Sequence, residues 1–330
     1  MQRSARTSRH RRSPALLGLC LAAAVTATVV GHSEPTEAAN AQTKVILNGK
    51  PVAVFFNDGD SFRVLSGSYK DSKARLYGYN TLESYGAVHE WGGWTMQELY
   101  VLAKMGTYNA RDGVWECETD GKTDTYGRML VWCPELATDQ VRQGYAHVMS
   151  IDDNPGRDIL IEAQKEAIAN KRGIWAHGIP EFVLTSLHSA EEDVEGRGTY
   201  NRLVSSVDGH SVKWKHSTRY AECDKVCHTI YEVDGAVIDG LVAPAKIDPA
   251  TKAFLGALSD SDVRSVLYDF AMYRHINRKV APEKREELKA ALMAWAEAGR
   301  FGQQASGEGA CMLHVPFKRR FGGGKAECLK

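Results

Sequence analysis

Residues 74–86 read ARLYGYNTLESYG: an arginine, a short apolar run, then Asn80, Thr81, Leu82 and Glu83. The stretch has the make-up of an active-site strand with one unusual position, because a metal centre there wants a carboxylate at residue 80 and meets an amide. Its meaning depends on two other short pieces. In NDGDSF, Asp58 and Asp60 stand two apart, so on an extended segment both carboxylates point to one side, and paired hard oxygens suit Ca²⁺. Asp-Gly-Asp is also a common turn, so alone it means little. In TDTYGRML, Arg128 enters a strand. Two arginines and a glutamate around a divalent cation are what phosphodiester hydrolysis demands. The cations stabilise charge on the phosphorus-centred transition state, and the carboxylate orients or deprotonates the attacking water.

The elements around these pieces run from strands to helices. KVILNGKPVAVFF turns at Asn48-Gly49, a hairpin signal. SFRVLSG, ARLYGYN, GVWECET and GRMLVWC are further short β runs, and so many short strands in this space suggest a small barrel. Thr95 with Glu98 forms a capping box ahead of Leu99, Leu102 and Ala103 at helical spacing. Further helices are expected at TDQVRQGYAHV and at GRDILIEAQKEAIANKRGIW.

Taken together, DGDSF, ARLYGYNTLES, TDTYGR, VRQGYAHV and a closing GIW resemble the staphylococcal nuclease (thermonuclease) family over about residues 44–178. The resemblance implies an α+β fold, a five-stranded OB-fold β-barrel with three helices. It also implies roles. Asp60 is the first Ca²⁺ carboxylate, Asn80 takes the place of the second, Thr81 offers its backbone carbonyl, and Asp58 is an outer-shell acid. Glu83 is the general base, Arg75 and Arg128 are the phosphate clamps, and Tyr126 is a hydroxyl near the nucleotide's terminal phosphate. Water attack with departure of the 5′-oxygen would leave 3′-phosphate products from DNA or RNA.

Four positions depart from the family pattern: Asn80 for Asp, Leu82 for Pro, Ser61 for Thr, and Ser150 and Asp152 for two nucleotide-contacting tyrosines. An amide oxygen is an ordinary Ca²⁺ ligand, but it brings no charge, so weaker metal binding is expected. The alternative is that Asn80 caps a turn in a silent site. Trp91, Trp94, Trp115 and Trp132 read as packing, with at most one against a base.

Outside this region, Arg3, Arg6, Arg9, Arg11 and Arg12 precede an apolar run from Ala15 to Gly31, the pattern of an export signal. Residues 1–33 are read as a cleaved signal peptide or an uncleaved membrane anchor, and residues 34–43 as a linker. Removing residues 1–33 takes away five of the 41 lysines and arginines and none of the 41 acids, leaving 36 against 41. The exported chain is mildly acidic, so any attraction to a polyanion must be local. Besides Cys20, six cysteines remain: Cys117, Cys133, Cys223, Cys227, Cys311 and Cys328. An even number in an oxidising compartment favours disulfides over a zinc site, with Cys117 and Cys133 bracing the Arg128 strand.

Residues 179–330 form the remaining unit, a smaller disulfide-containing α+β C-terminal domain without a catalytic signature. It holds a hairpin around Asp208-Gly209, a β-like run near TIYEVDGAVIDGLV, and two helices beginning near Asp260 and Pro282. His188, His228 and His314 show no metal spacing and read as surface or structural. The expectation is therefore an exported Ca²⁺-dependent nuclease acting on DNA or RNA, without a stable protein partner. Its rivals are a module that binds nucleic acid without cleaving it, and a cell-envelope interaction protein.

Overall fold

A computed structural model describes residues 43–193, 196, 198–320 and 326–329. The proposed signal and all but the last residue of the linker lie outside the described residues. Among those described, no helix is long and apolar enough to cross a membrane.

The first region carries strands β1 (Thr43–Leu47), β2 (Lys50–Asp58), β3 (Ser61–Val64), β4 (Lys73–Leu76), β5 (Gly78–Thr81) and β6 (Val88–Glu90). Helix α1 (Met96–Asp112) follows, then β7 (Trp115–Cys117), β8 (Met129–Val131), α2 (Pro134–Arg142), β9 (Ala146–Met149) and α3 (Asp158–Ala169). The capping box is present, with Thr95 Oγ1 accepting from Glu98 N and the Glu98 carboxylate accepting from Thr95 N. Helix α2 starts earlier than its polar stretch suggests because Pro134 sits in its first turn, and the following AHVM is a strand.

The main sheet has six strands in the order β7-β1-β2-β3-β4-β8 and curls into a half-barrel. Backbone bonds between Glu118 and Trp132, Glu118 N to Trp132 O at 2.7 Å and the reverse at 2.8 Å, join its two edge strands. The Cys117–Cys133 disulfide lies beside them. The Glu118–Trp132 bridge draws the ends of the two edge strands together, and the disulfide holds them covalently.

ARLYGYN reads as one strand but is two. Gly78 has φ +93°, a left-handed value that a side chain disfavours, and the chain breaks there between β4 and β5. Strand β4 stays in the main sheet while β5 pairs antiparallel with β9, setting Asn80 opposite His147. That bend turns Asn80 back towards Arg75. Beneath the sheet, Val54, Phe56, Phe62, Leu76, Tyr79, Val131 and Leu136 are buried as one apolar cluster.

The second region adds β10 (Phe182–Ser186), β11 (Thr199–Ser205), β12 (Ser211–His216) and β13 (Lys225–Tyr231). Helices α4 (Gly235–Ile247), α5 (Lys252–Leu255), α6 (Asp260–Tyr273) and α7 (Arg285–Glu297) follow, with β14 (Ser306–Leu313) and α8 (Phe317–Arg320) last. The β-like run near Val233 is strand only to Tyr231. Asp234 Oδ1 accepts from Ala236 N and starts α4 instead, a helix cap that competes with the apolar β pattern.

Gln42–Lys330 is one compact unit. Strands β10-β11-β12 form one sheet, but β13-β14-β6 forms another that takes its third strand from the first region. A second apolar cluster likewise mixes Leu82, Trp91, Leu99 and Trp175 with Phe182, Val226 and Met312. Disulfides Cys223–Cys328 and Cys227–Cys311 hold this second region, and three disulfides suit an oxidising environment.

Several histidines are interior, His89, His147, His228 and His314 among them. His228 and His314 are 6% and 2% exposed, so of the two readings the structural one holds for them. Burial pushes the imidazoles of His89 and His275 down to about 3, and those of His147, His188 and His228 down to about 4. A ring whose folded pKa lies below its unfolded one takes up a proton only in the unfolded chain. Its contribution is therefore full above the unfolded value near 6.5 and is lost as pH falls towards the folded value. Urea midpoints are expected to hold near pH 7 and to drop steeply between pH 6.5 and pH 4. A flat profile across that window would show the rings to be solvated.

Candidate active site

The turn between β2 and β3 and the bend between β4 and β5 bring their polar residues together. Register shifts between Phe56 and Asp58 in the β2–β3 pairing, so Asn57 to Asp60 bulge at the sheet's end. In β3–β4, Ser61 pairs with Arg75, which puts Arg75 next to that turn.

Arg75 is the centre of what results. Its Nη1 donates to Asp60 Oδ1 at 2.5 Å and its Nη2 donates to Asn80 Oδ1 at 2.6 Å. Thr81 N donates to Asp60 Oδ2 at 2.9 Å, and Asn80 Nδ2 donates to Thr81 O at 2.8 Å. Asp60 and Asn80 are only 3% and 6% exposed, so this ring of bonds is dry on most sides. A buried carboxylate with both oxygens satisfied and an arginine opposite is a stable arrangement.

Asp58 sits at the rim. Its Oδ1 accepts from Ser61 Oγ at 2.6 Å and from Asp60 N at 3.3 Å. Burial first, then the Asp60 charge, pushes its carboxyl up to about 8. Glu83 follows β5 in a half-buried loop, and its backbone N donates to His89 Nε2 at 3.2 Å. Burial raises the Glu83 pKa. Arg320, then Arg75 and Arg128, pull it down, while Asp60 pushes it up.

Arg128 stands apart from the ring. Asp124 holds it, accepting from Arg128 Nε at 2.7 Å and lying 2.7 Å from Nη2. Tyr126, 69% exposed, places its ring 5.4 Å from the Arg128 guanidinium. Arg128 reaches Glu83 by its charge, and neither residue bonds to Asp60 or Asn80 among the described residues.

Two residues that sequence reasoning passed over lie beneath the site. His147 faces Asn80 across the β5–β9 pair, its Nε2 3.5 Å from Asn80 Nδ2, while Nδ1 is 2.9 Å from Val148 O. The ring therefore carries its proton on Nδ1 and turns a lone pair towards the amide. His89 is the other. The helical reading of VRQGYAHV hid the strand that carries His147, and nothing local pointed to His89.

Ser150 and Asp152 are engaged elsewhere. Ser150 N donates to Gly209 O at 2.7 Å, Ser211 N donates to Asp152 O at 2.7 Å, and Ser211 Oγ also bonds Ser150 O. The β11–β12 turn thus bonds the backbone of both residues, while Asp152 stays exposed. Trp91 is core, and Trp94 and Trp115 donate their indole N–H to Ile174 O and Ala110 O, both at 2.9 Å. Trp132 packs under the Arg157 guanidinium at 4.4 Å. The ligand atoms of Cys227, Glu308 and Cys311 lie within 4.8 Å of one another, but both sulfurs are consumed by their disulfide.

Residues 73–177 match the staphylococcal nuclease homologue family, and no family match covers the C-terminal region. The match begins after Asp58 and Asp60 and includes Arg75, Asn80, Thr81, Glu83, Tyr126 and Arg128. A comparison with curated proteins finds no match. The chain thus carries a staphylococcal nuclease-like domain, with the OB fold this implies and a nuclease-type architecture.

The oxygen atoms of Asp60, Asn80, Thr81 and Asp58 fit a hard divalent cation such as Ca²⁺ in donor type. They bring less charge than two inner carboxylates would. Asn80→Asp replaces an amide hydrogen facing His147 with a negative oxygen, so the His147 pKa is expected to rise by about 1 to 3 units in a metal-free NMR titration. Calorimetry with Ca²⁺ should show tighter binding by the same variant. Unchanged His147 titration and unchanged Ca²⁺ affinity would place residue 80 away from both.

Proposed function

We propose that this protein is an exported, Ca²⁺-dependent nuclease that hydrolyses phosphodiester bonds of DNA or RNA. The observation that carries the reading is the Arg75 fork, which gathers Asp60 and Asn80 into one buried cluster with Thr81. Glu83 stands in the combined field of that cluster and of Arg128. An apolar strand end has no reason to assemble these groups for packing alone.

Asp60, Asn80 and the Thr81 carbonyl would hold the cation, with Asp58 behind them. A bound divalent cation supplies charge stabilisation at the phosphoryl oxygens. Glu83 orients the attacking water and accepts its proton as the water oxygen bonds to phosphorus. Arg75 and Arg128 neutralise the charge that builds on the equatorial oxygens, and the bond from phosphorus to the 5′-oxygen breaks. Raising the Glu83 pKa by burial moves it towards the range in which a carboxylate is an effective base. Engaging the substrate's phosphate requires Arg75 to loosen its hold on Asn80, which the more labile amide partner allows.

A second reading rests on one observation. Every polar atom of Asn80 is engaged inside the protein, a state in which the fold needs no cation. In that reading the domain binds nucleic acid without cleaving it, or presents the second region to a cell-envelope partner.

Digestion of DNA and RNA by the purified protein separates these readings. Cleavage is expected with Ca²⁺, to vanish with chelator, and to fall by about 10²- to 10⁴-fold in Glu83→Gln. Cleavage that persists in chelator or in the variant would refute the mechanism, and tight binding without cleavage would establish the second reading.

A further inference from the structure

The Glu83 loop is gripped from the C-terminal half at two places. Gly86, three residues beyond Glu83, lies directly under Arg320. A Cβ on Gly86 would sit 3.0 Å from Arg320 Cγ and 3.2 Å from Cδ, closer than ordinary contact. Arg320 is the last residue of α8, and its guanidinium is tied to carbonyls of its own half. Nη2 donates to Leu187 O at 2.5 Å and Nε donates to Val315 O at 3.1 Å. The arginine's methylenes thus form a lid on Gly86 while its head is anchored elsewhere.

The far end of the loop runs into β6, which is the edge strand on β14. Val88, His89 and Glu90 pair with Leu313, Met312 and Cys311. Lys225 of β13 reaches Glu90 at 3.0 Å, and the Cys227–Cys311 disulfide ties β13 to β14. From this strand His89 accepts the hydrogen bond of Glu83 N. Contacts at Gly86 and along β6 therefore lead from residues 225–320 to the two ends of one loop. Arg320 is also foremost among the charges acting on the Glu83 carboxylate.

We propose that the C-terminal half is a brace for the Glu83 loop, and that Arg320 is its positioning residue, holding Gly86 and with it the direction of the Glu83 carboxylate. The catalytic consequence rests on the nuclease reading above; the mechanical one does not. A loop clamped at Gly86 and at β6 can swing only as far as Arg320 allows. Misplacing a catalytic group by about 1 Å costs on the order of 10²-fold in rate.

The test uses the whole protein and its Arg320→Ala, Arg320→Lys and Gly86→Ala variants. Tyr85 is 47% exposed and precedes Gly86, so chymotryptic cutting after Tyr85, followed by mass spectrometry, reports loop opening directly. In Arg320→Ala this cut is expected about 10-fold faster. In the DNA digestion, kcat should fall about 10- to 100-fold with KM within about twofold. Arg320→Lys should recover most of both losses. Gly86→Ala, which leaves Arg320 present but displaces it, should reproduce a smaller version and decides the matter if Arg320→Ala does not fold by circular dichroism.

An unchanged Tyr85 cut in both Arg320→Ala and Gly86→Ala would overturn the brace. Faster cutting with unchanged kcat would overturn the positioning role. A wild-type protein without cleavage defeats the nuclease reading, yet the Tyr85 cut still decides whether the brace exists.

Discussion

The bidentate reach of Arg75 is the interaction on which the site's geometry depends. One guanidinium donates to a carboxylate from the β2–β3 turn and to an amide from β5, two segments that the sheet alone would leave apart. A planar fork can satisfy both at once because its donors are fixed in direction, which a lysine cannot do. The cost of burying Asp60 is offset by that fork and by the Thr81 N–H. Asn80 completes the ring by donating to the Thr81 carbonyl. With a carboxylate at position 80, the same ring would place negative oxygen against the Thr81 carbonyl and against the lone pair of His147. The amide therefore makes a cluster that is self-consistent without a cation. It lowers the charge available to a metal for the same reason.

Joining of the half-barrel's edges and attachment of the second region are separate constraints. Glu118 and Trp132 exchange backbone bonds between the sheet's two edges, with the Cys117–Cys133 disulfide alongside. The second region instead enters by strand pairing, since β14 takes β6 as its neighbour. Its β11–β12 turn also bonds the backbone of Ser150 and Asp152. Burial of shared apolar residues such as Leu82, Trp91, Phe182 and Met312 makes the two regions one core. Rather than hanging from the nuclease-like domain, the C-terminal half shapes two sides of it.

How much of this was legible varies with the range of the interaction. The capping box at Thr95 and Glu98 could be read because all its partners lie within four residues. The Asn48-Gly49 hairpin was readable for the same reason, both residues having positive φ. Arg75, Asp60, Asn80 and Glu83 were readable as candidates because the residue types and their order match a chemistry. The division of ARLYGYN into two strands was hidden, because alternation in a short run does not reveal a change of sheet. Helix α4 was hidden by its own apolar composition until Asp234 was seen to cap it. For the imidazoles, burial could not be read, because only packing produces it.

By itself, the sequence determined the chemical inventory: which groups carry charge, where short turns and caps fall, and that position 80 holds an amide. Those are properties of single residues and near neighbours, where covalent geometry and local hydrogen bonding decide. Tertiary structure alone decided that Arg75 spans Asp60 and Asn80, that His147 and His89 lie beneath them, and that Arg320 rests on Gly86. Residues 86 and 320 are separated by most of the folded chain. Only the burial of a common core, acting on all segments at once, brings such residues to within a few ångströms.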